Sequence, residues 1–211
     1  MRNLAILGST GSIGSSTLDV VKSNPGMFDI QLLAAKSNHP LLLEQIKLFK
    51  PNYIYLEDES SFISIKDAIK DIDQSLEVIN NEQDLLSLIS SNIIDTVVAA
   101  VVGIAGLNGV EAALSSGKRV LLANKESYVV AGEYLNKLCK ENGGLIIPLD
   151  SEHSAIHQCL SRGNQKEKAS RIILTGSGGP FLNKKKTDLA NVTMEEAINH
   201  PIWTMGRKIS V

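Results

Sequence analysis

Along the first 150 residues, short apolar runs rich in β-branched side chains alternate with stretches whose apolar positions recur every three or four residues. The runs at 4–7, 30–34, 53–56, 95–102, 119–123 and 145–149 are apolar on both sides, as strands covered on two faces must be. The stretches 15–23, 41–49, 60–69, 83–89, 109–115 and 127–141 carry the helical period. Strands and helices in strict alternation predict βαβ crossovers and hence an α/β fold, a doubly wound parallel sheet.

From Asp150 the texture changes. A helical pattern, "SEHSAIHQCL", leads through polar residues 161–168 to a strand-like "RIILT", a glycine cluster "GSGGP" and the lysine-rich "NKKKTD". "TMEEAIN" then reads as a helix, with Thr193 and Glu196 at capping-box spacing. The closing "HPIWTMGRKISV" ends on Ile209-Ser210-Val211, an alternating pattern that reads as a strand being entered, with no polar tail behind it. Two domains are expected, 1–149 and 150–211, the second being the beginning of an α+β domain truncated at Val211.

Composition narrows the classes. A chain of 211 residues with 43% hydrophobic and 21% charged positions can bury a core. A net charge of −2 with no basic run argues against nucleic-acid or membrane-surface binding. The longest apolar run, "TVVAAVVGIAGL", is too short to span a bilayer, and "MRNLAILGST" lacks the pattern of a signal peptide. Cys139 and Cys159 lie in helical patterns and form no close metal-type pair, which suits a reduced, cytoplasmic protein.

Chemistry enters at the strand ends. "ILGSTGSIG" puts Gly8, Gly11 and Gly14 between the first strand and first helix, with Thr10 and Ser12 as hydroxyl donors. Side-chain-free backbone at a helix N-terminus lets a pyrophosphate approach, as in Rossmann-like nucleotide-binding domains. The second strand leaves through Lys36-Ser37-Asn38 with no acid. A carboxylate there would hold ribose hydroxyls, whereas a cation and two hydrogen-bonding groups suit a 2′-phosphate, so NADPH is favoured over NADH. In "LLANKES", Asn124 reads as a helix cap or a cofactor contact, and Lys125 as a surface residue or a partner for an anionic substrate. In "IIPLDSEHSA", Asp150 and Glu152 leave an apolar strand one residue apart. Acids suit a helix start, but two so close repel unless a cation stands between them, and their hard oxygens suit Mg²⁺ or Mn²⁺. His153 and His157, four apart, offer a rival zinc reading, but their order is not H-E-x-x-H.

Taken together, "GSTGSIG", "LLANKES", "PLDSEHSAI", "LTGSGGP" and "HPIWTMGRKISV" resemble the 1-deoxy-D-xylulose 5-phosphate reductoisomerase family, in that family's order and along the whole chain. The resemblance implies an NADP-dependent oxidoreductase and isomerase of non-mevalonate isoprenoid biosynthesis. It assigns Thr10, Gly11, Ser12 and Ile13 to the NADPH pyrophosphate and Lys36, Ser37 and Asn38 to the adenosine end. Asn124 and Glu126 would line the cofactor site, with Gly206 near the nicotinamide. Asp150 and Glu152 would hold the metal, and Lys125, Ser151, Ser177 and His200 the sugar-phosphate substrate, under a flap that includes Trp203 and Met205. The family pattern has glycine in place of Lys36. It also continues past "KISV" into a third metal-binding carboxylate, further phosphate contacts and a helical domain, and its full-length form is expected to be a homodimer.

Two other readings remain in view. The chain is alternatively a nucleotide-binding fragment without turnover of its own. A semialdehyde dehydrogenase would need a cysteine nucleophile at the active end, which neither Cys139 nor Cys159 supplies from a helical pattern.

Overall fold

The computed structural model describes residues 1–69, 75–161, 169–176 and 178–202. Its first compact unit, Met1–Asn164, has strands β1 (Arg2–Leu7), β2 (Phe28–Ala35), β3 (Tyr53–Leu56), β4 (Glu77–Ile79), β5 (Thr96–Ala99), β6 (Arg119–Leu122) and β7 (Leu145–Pro148). Between and after them run helices α1 (Ser12–Ser23), α2 (His39–Phe49), α3 (Glu59–Ile69), α4 (Glu82–Ser90), α5 (Leu107–Ser115), α6 (Lys125–Asn142) and α7 (Ser151–Ser161). The strands form one seven-stranded sheet in the order β4-β3-β2-β1-β5-β6-β7. Every neighbouring pair is parallel.

Successive strand side chains point to opposite faces, and β1 divides its residues accordingly. Leu4 and Ile6 pack with Leu33, Val98, Leu42, Ile46 and Ile65, so α2 and α3 cover that side. Ala5 and Leu7 pack with Leu32, Val97, Ile89, Val110, Leu114 and Leu135, which brings α4, α5 and α6 to the other. The β1–β2 register shifts between Leu4 and Ala5, leaving Gln31 without a place in the pairing. Its buried amide is satisfied locally, Nε2 donating to Asp29 at 2.6 Å and Oε1 accepting from Asn52 at 2.6 Å.

The chain builds outward from β1 to β4, then returns to β1's other side for β5, β6 and β7. The order therefore reverses between β1 and β5, and in open parallel sheets ligands bind beyond the strand ends at such a switch.

The expected sheet is present, with differences of detail. β4 was not expected, because a three-residue edge strand is too short to show a period. β5 ends at Ala99 rather than at 102, where its neighbours β1 and β6 also run out of ladder. α1, α5 and α6 begin two or three residues earlier than expected, at Ser12, Leu107 and Lys125. Residues 171–175, expected as a strand, form none; Ile172, Ile173 and Leu174 are exposed, and a β-branched run without a sheet partner has no ladder to join.

The second unit, Gln165–Val211, contains a 3-10 segment, Lys186–Asn191, and a short helix α8 (Met194–Ile198). Thr193 and Glu196 form the expected capping box on α8. Lys184 pairs with Glu196 at 2.8 Å and lies over the Phe181 ring. The Lys184 ammonium, aided by the Thr193 backbone N–H, holds the Glu196 carboxyl below its usual range. The expected strand at 209–211 lies outside the described residues. Among the described residues no helix is long and apolar enough to cross a membrane.

Leu33 is fully buried at the centre of one face. Leu33→Ala should lower the free energy of unfolding by about 3 kcal/mol, read from urea unfolding followed by circular dichroism.

Candidate functional site at the carboxyl ends of the strands

The turn after β1 is held by backbone. The N–H groups of Gly8 and Ser9 both donate to Ala34 O at 2.9 Å, and Gly11 N–H donates to Gly8 O at 3.0 Å. Gly8 has φ +83°, and a Cβ there would stand 2.6 Å from Ala100 O. A Cβ on Gly14 would overlap Gly8 O and Ser9. The sequence motif is thus required by steric fit. Buried Gln45 donates to Ser9 O at 2.9 Å and anchors the turn from below. Sequence reading missed Gln45, although a polar residue within the apolar stripe of α2, beside Leu42 and Ile46, was a usable signal.

α1 opens on Gly11 with no side-chain cap. Its first-turn N–H groups point outward beneath a glycine cradle, the arrangement that attracts phosphate. Thr10 is half-buried, while Gly11, Ser12 and Ile13 are exposed at this entrance. The residues present fit a dinucleotide pyrophosphate.

At the β2 exit, Lys36 lies exposed and 3.9 Å from Glu57. A pair so open to water is weak and leaves the ammonium able to meet another anion. Asn38 caps α2, its Oδ1 accepting from Leu41 N–H at 3.3 Å. The Ser37 carbonyl accepts from the Ser61 hydroxyl at 2.9 Å. This segment is thereby fixed by its own polar groups.

At the β6 exit, Asn124 is buried at 4% exposure. Its Oδ1 accepts from Ser127 N–H at 3.2 Å, capping α6. Its Nδ2 donates to Val101 O at 2.6 Å and to Gly103 O. The capping alternative is therefore realised, and the amide is turned into the protein. Glu126 follows in the first turn of α6, half-buried.

The acidic pair at the β7 exit is not bare. Asp150 accepts from Lys125 Nζ at 3.0 Å through Oδ2 and lies 3.3 Å from His153 Nδ1 through Oδ1. The Ser151 hydroxyl donates to Glu152 at 2.7 Å. The two carboxylates were expected to need a cation between them. The Lys125 ammonium meets Asp150, and its pKa is raised by the hydrogen bond it donates to Asp150 and by the charges of Asp150, Glu152 and Glu126. The Ser151 hydroxyl and a backbone N–H hold Glu152 below the usual carboxylate range, so it stays ionised.

As a metal centre the donor set is partial. Asp150 and Glu152 offer hard oxygens that suit Mg²⁺ or Mn²⁺, but among the described residues no three His, Cys, Asp or Glu side chains group as a metal site. The zinc alternative lacks its histidine pair, since His153 is engaged with Asp150. His200 belongs to the second unit, where its Nδ1 accepts from Ile202 N–H at 3.2 Å. Ser177, Trp203, Met205 and Gly206 lie outside the described residues.

Two family models match this chain. Residues 4–132 match 1-deoxy-D-xylulose 5-phosphate reductoisomerase, and residues 146–211 match the C-terminal domain of the same enzyme. The chain belongs to this reductoisomerase family. The reductoisomerase of Saccharophagus degradans is 45% identical over 214 residues, covering 100% of this chain and 55% of the relative. That of Caldanaerobacter subterraneus subsp. tengcongensis is 47% identical over 211 residues, covering 100% and 54%. A DOX-P reductoisomerase crystallised with NADPH, fosmidomycin and magnesium superposes with a TM-score of 0.85 at 39% identity, covering 100% of this chain and 53% of the other. The Zymomonas mobilis enzyme in complex with NADPH gives 0.84 at 37% identity, covering 95% and 52%. The chain thus spans about half the length of the relatives it matches.

Cys139 is not activated as a nucleophile would be. Cys139 is half-buried on α6 and burial pushes its thiol up, whereas Cys159 on α7 is exposed. Iodoacetamide should label Cys159 at least about ten-fold faster than Cys139, as followed by peptide mass spectrometry.

Proposed function

We propose that this chain carries the NADPH-binding part and the first metal- and substrate-binding residues of a 1-deoxy-D-xylulose 5-phosphate reductoisomerase. The full reaction converts 1-deoxy-D-xylulose 5-phosphate to 2-C-methyl-D-erythritol 4-phosphate in non-mevalonate isoprenoid synthesis. Residues 1–149 form the cofactor domain, and 150–211 begin the domain for metal and substrate. One observation carries the reading. The glycine cradle after β1 and the Lys125–Asp150–Glu152 cluster after β6 and β7 open at the same end of one parallel sheet. In this reading the hydride donor and the polarising group would share that rim. Relatives bound to NADPH and to magnesium support it.

In this reading Thr10, Gly11, Ser12 and Ile13 bind the NADPH pyrophosphate, and Lys36, Ser37 and Asn38 its adenosine end. Asn124 and Glu126 frame the cofactor, with Gly206 near the nicotinamide. Asp150 and Glu152 hold the divalent cation, while Lys125, Ser151, Ser177 and His200 bind the anionic substrate. A bound Mg²⁺ or Mn²⁺ would polarise the substrate's ketone and adjacent hydroxyl as the carbon skeleton rearranges, and NADPH would deliver hydride to the resulting aldehyde. Lys125 remains charged throughout and keeps Asp150 directed inward. Ser151 holds Glu152 ionised as an oxygen donor. The reading also carries a cytoplasmic location and a homodimeric full-length form.

The second reading is a nucleotide-binding fragment without turnover, favoured because among the described residues no third His, Cys, Asp or Glu joins Asp150 and Glu152 as a metal group. NADPH absorbance followed with 1-deoxy-D-xylulose 5-phosphate and Mn²⁺ separates the two, since NADPH binding without oxidation by this chain selects the fragment. Asp150→Asn and Glu152→Gln should each weaken Mn²⁺ binding by at least about ten-fold, measured by titration calorimetry; unchanged affinity would remove the metal assignment. Lys36→Glu should weaken NADPH binding by about ten-fold while leaving NADH nearly unaffected, and equal losses for both would remove the role given to the 2′-phosphate.

A further inference from the structure

We infer that the amino ends of β1, β5, β6 and β7 carry a second small-molecule site, which takes a phosphate-type oxyanion through the guanidinium groups of Arg2 and Arg119. The inference does not depend on the nucleotide reading, because the glycine turn opens at the other end of the sheet. The six residues of β1 alone put roughly 20 Å between the two ends, at about 3.3 Å per residue.

An open depression of about 470 Å³ lies there, with Arg2, Asp95, Gly117, Arg119 and Gly143 in its lining. Its charge is uneven. Two guanidinium groups share it with one acid, and Asp95 is already engaged. Its Oδ2 accepts from Asn3 N–H at 3.0 Å and its Oδ1 from the Thr96 hydroxyl at 2.9 Å. Among the described residues neither arginine side chain forms an ion pair or a hydrogen bond. Arg119 Nε is sealed from solvent and still has no partner. A buried donor left unpaired costs stability, so a guanidinium placed in this way gains when an acceptor draws it outward.

Basic side chains have an ordinary use at this end of the sheet, since α4, α5 and α6 finish here and helix carboxyl ends favour cations. Lys118 fills that use, its Nζ donating at 2.7 Å to the carbonyl of Ser91, the C-cap of α4. Arg119, the next residue, does not. The ends of α5 and α6 are met by backbone instead, Lys118 N–H donating to Ala113 O at 2.9 Å and Gly143 N–H to Cys139 O at 3.0 Å. Both arginine forks are therefore uncommitted to the fold. A planar carboxylate offers its two oxygens to one fork, whereas a tetrahedral oxyanion can serve two at once. The depression also leaves room for an organic body attached to the phosphate.

The test is a titration of the ¹⁵N-labelled chain with inorganic phosphate at constant ionic strength. The amide signals of Gly117 and Gly143 should shift and saturate. Arg119→Gln should weaken this binding about ten-fold and Arg2→Gln about five-fold, while Lys118→Gln should stay within about two-fold of the parent. Arg2 is exposed, so its variant keeps the fold and decides the matter if Arg119→Gln does not. Ribose 5-phosphate, titrated in parallel, separates the sources: tighter binding than phosphate assigns the site to a phosphorylated metabolite, and equal binding assigns it to the free ion. The site is overturned by the lack of a saturable shift at Gly117 and Gly143, by an equal response to sodium chloride, or by unchanged affinity in the arginine variants. Shifts confined to Gly11 and Ser12 overturn it as well, since they place the anion at the glycine turn alone.

Discussion

The backbone turn after β1 passes so close to the exit of β5 that no side chain fits between them. Gly8 lies against the Ala100 carbonyl, and Gly14 against the Gly8 carbonyl. The same closeness exists because β1 and β5 are direct parallel neighbours at the point where strand order reverses. Any larger residue would push the start of α1 off the sheet and break the cradle of free N–H groups. The parallel ladder thus dictates the glycines, and the glycines in turn expose the backbone donors. Burial of both sheet faces keeps this geometry rigid, since Leu4, Ala5, Ile6 and Leu7 are all in the core.

Polar groups extend that rigidity across the rim. Gln45 holds the turn after β1, Asn38 caps α2, and Asn124 joins the β5 loop to α6. Each is a neutral side chain bonded to backbone, a contact that gives direction at little desolvation cost compared with a buried ion. The ionic chemistry is kept apart, at the β7 edge, where Asp150 is only partly exposed while Lys125, Glu152 and His153 meet solvent. A rim built in this way separates two tasks: amides shape the crevice, and charges stay available for ligands.

Much of the fold was legible because its signals are dense. Strands buried on both faces and helices with one apolar stripe leave little choice of architecture. The glycine spacing and the acids after the last strand were legible for a similar reason, since each departs from what a plain turn or helix needs. What escaped was decided by contacts distant in sequence. Asp150 and Lys125 are separated by a whole helix and strand, and only the β6–β7 pairing makes them neighbours. Nothing local told whether Asn124 would face a ligand or the protein, because the two carbonyls that claim it lie before α5. The strand expected at 171–175 failed for the converse reason: its residues favour β structure, but they pair with no described strand.

Lys125 is the residue whose placement most needs a reason. It occupies the first position of α6, where the helix dipole disfavours a cation by about 0.3–1 kcal/mol and an acid would be the stabilising choice. Asp150, arriving from the neighbouring strand, offsets that conflict with a direct hydrogen bond. Yet Asp150 has a good local role without Lys125, since its carbonyl accepts from Ser154 N–H and it stands at the positive start of α7. Stability alone would keep the acid and replace the lysine. A charge is thus held against its local preference by a carboxylate that does not need it, and residues that break local rules gather where function does. Lys125 is held by Asp150 and stands exposed at the rim, so a carboxylate from the neighbouring strand fixes where its positive charge lies.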